Sequence, residues 1–315
     1  MRHFLKETDF SAAEAAGILA HAKTLKGNRG NGLRPLDGQS WGMLFFKNST
    51  RTRISFDVGI YELGGHPLML DASKMQLSRG ESPADTVKVL SRYLDGLVVR
   101  CHDHSLLETF AEAGSVPVVN ALSDSLHPCQ VYADAFTMVE TLAPDAREPE
   151  EVLEALSGRK LAFLGDASCN MANSLLMAGA HLGFAVALSG PEAYGPSAEG
   201  RALLEKEDFA APHFTTDPVE AVDGADFVYT DVWVSMGAEG DADQRLAEMA
   251  PYQVTPDLMA KAAPGAKFLH CLPAHPGEEV AQAVLDSEAS VIFDQAENRL
   301  HVQKAILAAL VRSES

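Results

Sequence analysis

Short apolar runs rich in strand formers recur along the first half of the chain: "WGMLFF", "HPLML", "GLVVRC" and "VPVVNA". Between them lie longer stretches whose apolar residues return with helical period. This alternation predicts a parallel α/β arrangement. A second set follows the Pro- and acid-rich stretch "TLAPDAREPEEVLEALSGR": "KLAFLGD", "AVALSGP", "FVYTDVW", "KFLHCLP" and "VIFDQA". The expected architecture is α/β, with two doubly wound parallel-sheet domains over residues 1–140 and 141–297 and an active site in the cleft between them. The closing stretch, about residues 298–315, carries Val302, Ala305, Ile306, Ala309 and Val311 near helical spacing. It predicts an amphipathic helix that packs back onto the first domain. Two helix starts are clearly marked, Ser11-x-x-Glu14 as a capping box and Ser82-Pro83-x-Asp85 as cap, first-turn proline and first-turn acid.

The stretch "FFKNSTRTRISFDVGIYELGG", residues 45–65, joins a strand to a helix whose expected core face is Ile54, Phe56, Val58, Ile60, Tyr61 and Leu63, with a stop at Gly64-Gly65. Ser49 to Thr52 therefore fall at a helix N-terminus. Unpaired backbone N–H groups and the positive end of the helix dipole favour an anion there, and hydroxyls plus Arg51 would complete a phosphate cradle. The plainer alternative is that Ser49 or Thr50 only caps the helix. Arg53, two residues beyond Arg51, is expected to point elsewhere and to form a structural ion pair.

Composition narrows the classes. The 315 residues are 46% hydrophobic, enough for a sizeable core. A net charge of −19, from 44 acidic against 25 basic residues, disfavours nucleic acid or an anionic membrane as partner. The four cysteines, Cys101, Cys129, Cys169 and Cys271, form no C-x-x-C pair, so neither a disulfide framework nor a zinc ribbon is expected. A reducing cytoplasm fits this usage. No signal peptide and no membrane span is expected.

Reactive residue types recur where the strands end: Arg100 after "GLVV", His127 and Gln130 in "SLHPCQ", Asp231 after "FVYT" and Cys271 in "FLHCLP". In open α/β sheets, ligands bind at those ends. Through "STRTR" (49–53), "HPCQ" (127–130), "DVWVSMG" (231–237), "HCLP" (270–273) and "ENR" (297–299), the chain resembles the aspartate/ornithine carbamoyltransferase family, with the motifs in family order. "SMG" and "HCLP" together resemble its ornithine branch.

The resemblance implies transfer of a carbamoyl group from carbamoyl phosphate to the δ-amine of L-ornithine, with no metal and no organic cofactor. It implies that Ser49, Thr50, Arg51 and Thr52 hold the phosphate, and that Arg100, His127 and Gln130 address the carbamoyl group. Arg299 would also meet carbamoyl phosphate, and Gln76 would reach the site of a neighbouring subunit in a homotrimer or a multiple of one. Asn170, Asp231, Ser235 and Met236 would surround the α-amino and α-carboxylate groups of ornithine, with Cys271 and Leu272 near its reacting end. The residue types suit these roles: a carboxylate at Asp231 pairs with an ammonium, and Asn170 donates to a carboxylate without adding charge. An aspartate acceptor would require further cations, and "DVWVSMGAEGD" has none.

Two departures from the family pattern stand out. Cys169 occupies the first of two positions that often hold adjacent asparagines, and Pro276 a position often held by arginine. Other readings remain: a carbamoyltransferase for N-acetylornithine, N-succinylornithine or putrescine, or a non-catalytic anion-binding homologue. A nicotinamide-linked dehydrogenase lacks its glycines in "FLGDASCNMANS". "HDH" (102–104) lacks a third metal ligand and reads as a solvated loop. Cys271 as a covalent nucleophile would need an adjacent base, and His270, its neighbour on a strand, should point to the opposite face. Cys101 and Cys129 read as small buried apolar residues.

Overall fold

The computed structural model describes residues 1–312 apart from 76, 78, 79, 235–239 and 241. The expected positions Gln76, Ser235 and Met236 thus lie outside the described residues. The chain forms two compact units: Met1–Phe136, Asp145–Val152 and Glu297–Ser315 make the first, Thr137–Pro144 and Leu153–Ala296 the second.

The first stretch of chain runs α1 (Ala12–Gly27), β1 (Ser40–Phe45), α2 (Thr50–Glu62), β2 (His66–Asp71), α3 (Pro83–Leu90), β3 (Gly96–Arg100), α4 (Ser105–Ala113), β4 (Val118–Leu122) and α5 (Pro128–Leu142). The remainder runs α6 (Pro149–Leu156), β5 (Lys160–Leu164), α7 (Asn170–Leu182), β6 (Ala185–Ser189), α8 (Ala198–Lys206), β7 (His213–Thr215), α9 (Pro218–Val222), β8 (Phe227–Thr230), α10 (Ala242–Met249), α11 (Pro256–Met259), β9 (Lys267–His270), α12 (Gln282–Leu285) and α13 (Ile292–Arg312).

Both sheets are parallel, in the orders β2-β1-β3-β4 and β7-β6-β5-β8-β9. In each, the chain winds outward one way from a central strand and then resumes on that strand's other side. The reversal lies between β1 and β3 in the first sheet and between β5 and β8 in the second. Helices leaving neighbouring strands there diverge to opposite faces, and the crevice at the strands' carboxyl ends opens between them. Between their end residues the central strands are apolar, as burial on both faces requires: Leu97, Val98 and Val99 of β3 and Leu161, Ala162 and Leu164 of β5 are fully buried.

Helix starts follow the sequence closely. Ser11 Oγ accepts from the Glu14 N–H while Glu14 accepts from the Ser11 N–H, and Ser82 Oγ accepts from the Asp85 N–H. Two expectations are corrected. "VIFDQA" is no strand but the first turn of α13, so the last helix starts at Ile292 rather than near 298. Its Gln295 is buried and spends its carbonyl on the His270 N–H, at 2.8 Å, which anchors a helix turn where the apolar residues suggested a strand. The expected core face of α2 also divides. Phe56, Ile60 and Leu63 are buried, but Ile54 and Tyr61 are 58% and 73% exposed. Ile54 and Tyr61 lie seven residues apart and so share the helix's outer face.

The closing helix packs against α2 in the first unit. A Cβ on Gly59 would stand 3.2 Å from Lys304 Cγ and 3.5 Å from Leu300 Cδ1, so glycine permits the close approach. Lys304, nearly buried, donates to Glu62 at 2.6 Å, and Arg29 meets the other Glu62 oxygen at 2.8 Å. Burial alone would raise the Glu62 pKa, but the Lys304 and Arg29 contacts outweigh it and hold the carboxyl below its ordinary range.

Candidate active site

In the first unit, residues from three neighbouring strand ends meet. Ser49 caps α2 directly after β1, its Oγ accepting from the Thr52 N–H at 3.3 Å. The capping role and an anion role are compatible, because the first-turn N–H groups still point past the cap. Thr52 is buried, and its Oγ1 accepts from Arg299 Nη2 at 2.5 Å. Arg299 thus reaches the α2 N-terminus from α13. The hydroxyl, already accepting, keeps its proton for a further acceptor. Ser49, Thr50 and Arg53 line a groove of about 570 Å³ with Asp57 and Val58. Arg53 has no ion pair among the described residues and opens on this groove with Ser49 and Thr50, so the expected structural ion pair is absent there.

Arg100 ends β3, and its carbonyl accepts from the Phe46 N–H beside it, which ties the β1 and β3 ends together. His127 precedes Pro128 at the start of α5, and its carbonyl accepts from the Gln130 N–H at 3.0 Å. Burial, with Arg299 and Arg100 nearby, drives the His127 pKa well below its ordinary value, so the imidazole is neutral at physiological pH. Gln130 donates through Nε2 to Asp134 Oδ1 at 2.8 Å. The carboxylate can only accept, so the amide orientation is fixed. The buried Gln130 Oε1 is left without a hydrogen-bond partner among the described residues, an acceptor suited to an N–H donor.

The second unit repeats the arrangement at its own reversal point. Asp231 follows β8 and Cys271 follows β9, and the Cys271 thiol donates to Asp231 Oδ1 at 3.0 Å. Asn170 is the first residue of α7, capped by the Cys169 sulfur, which accepts from the Ala172 N–H at 3.4 Å. Burial raises the Cys169 thiol pKa, and Asp166 and Asp231 raise it further, so this cap is a neutral thiol. Gly165 directly follows β5 at φ +121, and a Cβ there would stand 3.1 Å from Trp233 Nε1 in the loop after Asp231. Glycine lets these two loops close on each other.

The neighbours Cys271 and His270 part, as strand geometry requires. His270 is fully buried, faces Glu279 Oε1 through Nε2 at 3.2 Å, and accepts the Leu272 N–H on Nδ1 at 2.8 Å. Asp231, His270 and Cys271 bring ligand-type atoms within 4.8 Å of one another. Both ring nitrogens of His270 are already engaged by protein groups, so the trio offers a metal two donors where structural and catalytic zinc sites use three or four. The "HDH" residues are likewise occupied locally: His102 faces Asp124 at 3.4 Å and His104 meets Ser123 at 2.9 Å.

Residues 2–140 match the family signature described as aspartate/ornithine carbamoyltransferase, carbamoyl-P binding domain, and residues 157–310 match its Asp/Orn binding domain. The chain belongs to the aspartate/ornithine carbamoyltransferase family. Among curated members it is 47% identical to the ornithine carbamoyltransferase of Corynebacterium glutamicum, over 100% of this chain and 98% of that one. Identity to the Thermococcus kodakarensis ornithine carbamoyltransferase is 46%, covering 96% of this chain and 94% of the relative. The solved ornithine carbamoyltransferase of Pyrococcus furiosus superposes with a TM-score of 0.88 at 43% identity, over 99% of this chain and 97% of that one. The anabolic ornithine carbamoyltransferase of Campylobacter jejuni gives a TM-score of 0.88 at 36% identity, over 100% of both chains. Members of this family are transferases, and the two parallel-sheet α/β domains are theirs.

The sequence reading missed Arg245. From α10 its Nη2 reaches Asp166 Oδ2 at 2.5 Å and its Nε the Trp233 carbonyl at 2.8 Å, with the guanidinium 4.7 Å from the centre of the Tyr194 ring. One side chain thereby joins the loop before Asn170 to the loop after Asp231. A lone arginine on an exposed amphipathic helix gives no signal in sequence, because its partners lie 79 and 12 residues away.

Proposed function

We propose that this protein is an ornithine carbamoyltransferase: carbamoyl phosphate and L-ornithine give L-citrulline and phosphate. The observation that carries the reading is the Asp231–Cys271 pair at 3.0 Å, beside Asn170 at a helix N-terminus, in a chain similar over its whole length to enzymes of that name. A carboxylate and a thiol with a capped helix N-terminus form a receptor for an ammonium and a carboxylate on one molecule. Ser235 and Met236 complete the acceptor half in this proposal.

Ser49, Thr50, Arg51 and Thr52 hold the phosphate with Arg299, while Arg100 and neutral His127 donate to the carbamoyl oxygen. Gln130 Oε1 accepts from the carbamoyl NH2, and Leu272 borders the same group. The ornithine δ-amine, with a lysine-like pKa near 10.4, must lose a proton at a cost of about 4.6 kcal/mol at pH 7. Asp231 and Cys271 shape the field that favours the neutral amine. The amine nitrogen attacks the carbonyl carbon, Arg100 and His127 stabilise the oxyanion, and the carbon–oxygen bond to phosphate breaks. The amine's surplus proton leaves with the phosphate.

No metal or organic cofactor enters this mechanism. The exposed apolar residues of the first unit, Ile54 and Tyr61 on α2 with Leu68 on the edge strand β2 and Val89 and Tyr93 by α3, support a homotrimer or a multiple of one, with Gln76 reaching a neighbouring site. The protein acts in the cytoplasm, in arginine metabolism.

The test is incubation with carbamoyl phosphate and, in parallel, ornithine, N-acetylornithine, N-succinylornithine, putrescine and aspartate, with carbamoylated product measured. Citrulline alone is the expected result. Product only from another acceptor would overturn the ornithine half, and no product from any amine would overturn the enzyme reading.

A further inference from the structure

The turn that carries Cys271 and Leu272 is conformationally costly. Leu272 sits at φ +59, a left-handed conformation in which its Cβ crowds the backbone. Such a residue persists only where its surroundings over-determine it. The source of that constraint is visible in the second unit. The Leu272 N–H donates to His270 Nδ1 at 2.8 Å, so that nitrogen carries no proton. The imidazole proton is therefore on Nε2, which faces Glu279 Oε1 at 3.2 Å. The same oxygen accepts the His275 N–H at 2.5 Å, and the side chains of His270 and Glu279 are both fully buried. The His270 N–H is held in turn by Gln295 Oε1 at 2.8 Å, and Gln295 reaches Tyr229 at 3.2 Å.

We propose that His270 is a positioning residue: held as the Nε2–H form by Glu279, it fixes the Leu272 N–H through Nδ1 and so sets the left-handed turn that presents Cys271 and Leu272 to the substrates. The inference rests on the active-site reading above. It assigns no proton transfer to His270. Neither ring nitrogen is open to the Cys271 thiol, which turns instead to Asp231.

Two substitutions separate the functions of the ring. In His270→Asn, Oδ1 stands where Nδ1 stood and still accepts from Leu272, but the bond to Glu279 is lost. In His270→Gln, the amide nitrogen reaches towards Glu279 but no acceptor faces Leu272. The expected kcat of His270→Asn is within about threefold of wild type, and that of His270→Gln is lower by about 10², the scale of a 1 Å misplacement of reacting groups. Affinity for carbamoyl phosphate alone, measured by calorimetry, should be unchanged in both. A role in packing alone predicts that the two variants lose kcat alike, in step with their melting temperatures. A proton relay predicts that both lose one limb of the kcat–pH profile. Either result overturns the proposal.

A readout independent of turnover is the ¹⁵N spectrum of histidine-labelled wild-type protein. His270 should give one unprotonated ring nitrogen, Nδ1, and one protonated, Nε2. The opposite tautomer or an imidazolium overturns the proposal even if a variant fails to fold. Absence of citrulline formation by the wild type would instead overturn the proposed function, and the ¹⁵N result would still decide this one.

Discussion

His127 lies buried near Arg299 and Arg100, so protonating it means placing a third positive charge in a site that already holds two. In the unfolded chain the same ring titrates near its ordinary value of about 6.5. Below that pH the unfolded state binds a proton that the folded state refuses, so this residue's contribution to stability is intact above about pH 6.5 and is lost as the pH falls towards the depressed folded value. Urea unfolding compared at about pH 7.5 and about pH 5.5 should show a larger loss for wild type than for His127→Gln, which cannot titrate. In the proposed mechanism Arg100 acts at the same carbamoyl oxygen as His127, but through charge. Arg100→Ala should lower kcat by about 10² to 10³, the usual effect of removing one oxyanion donor, with a melting temperature that changes little. An unchanged kcat would remove Arg100 from the mechanism.

At the scale of elements, α10 exerts its effect through Arg245. It ties Asp166 and the Trp233 carbonyl, and through them the two loops that flank Asn170 and Asp231. Replacing it by glutamine removes a charge-assisted hydrogen bond of about 1.5 kcal/mol, so Arg245→Gln should raise the ornithine KM about tenfold with a smaller effect on kcat, by steady-state kinetics. Nothing near Arg245 in sequence announces this. Strand ends were easier to read: β1, β3, β5, β8 and β9 fall where the apolar runs fall, because strands buried on both faces show as continuous hydrophobic stretches. The short edge strand β7, "HFT", has no such run, since an edge is buried less. "VIFDQA" failed for the opposite reason. Its Ile292 is buried as a strand residue's would be, but Phe293 is 77% exposed, and the buried Gln295 pairs with a backbone N–H 25 residues back. The placement of Asp231, Cys271 and Arg100 at strand ends is legible because each closes or directly follows an apolar run. The roles of His270 and Glu279 are not, because only the folded turn brings them together.

Across the whole molecule, a net charge of −19 repels a dianionic substrate until local cations take over at short range. Raising the ionic strength to about 0.15 M shortens that repulsion, so kcat/KM for carbamoyl phosphate should rise or stay level. A steep fall would mean that the arginines of the first unit dominate the field well beyond the site. That unit is also discontinuous: its core opens at the N-terminus and is completed by Glu297–Ser315.

The order in which a ribosome delivers the chain gives this discontinuity a further meaning. The first unit begins to emerge long before the second, yet Arg299, which holds Thr52, and Lys304, which neutralises Glu62, follow the whole of the second unit along the chain. Nascent domains usually mature from the N-terminus onward. Here the first unit is expected to mature only after residues 297–312 have followed the second unit out of the ribosome, so its early strands wait with α2 uncovered until then.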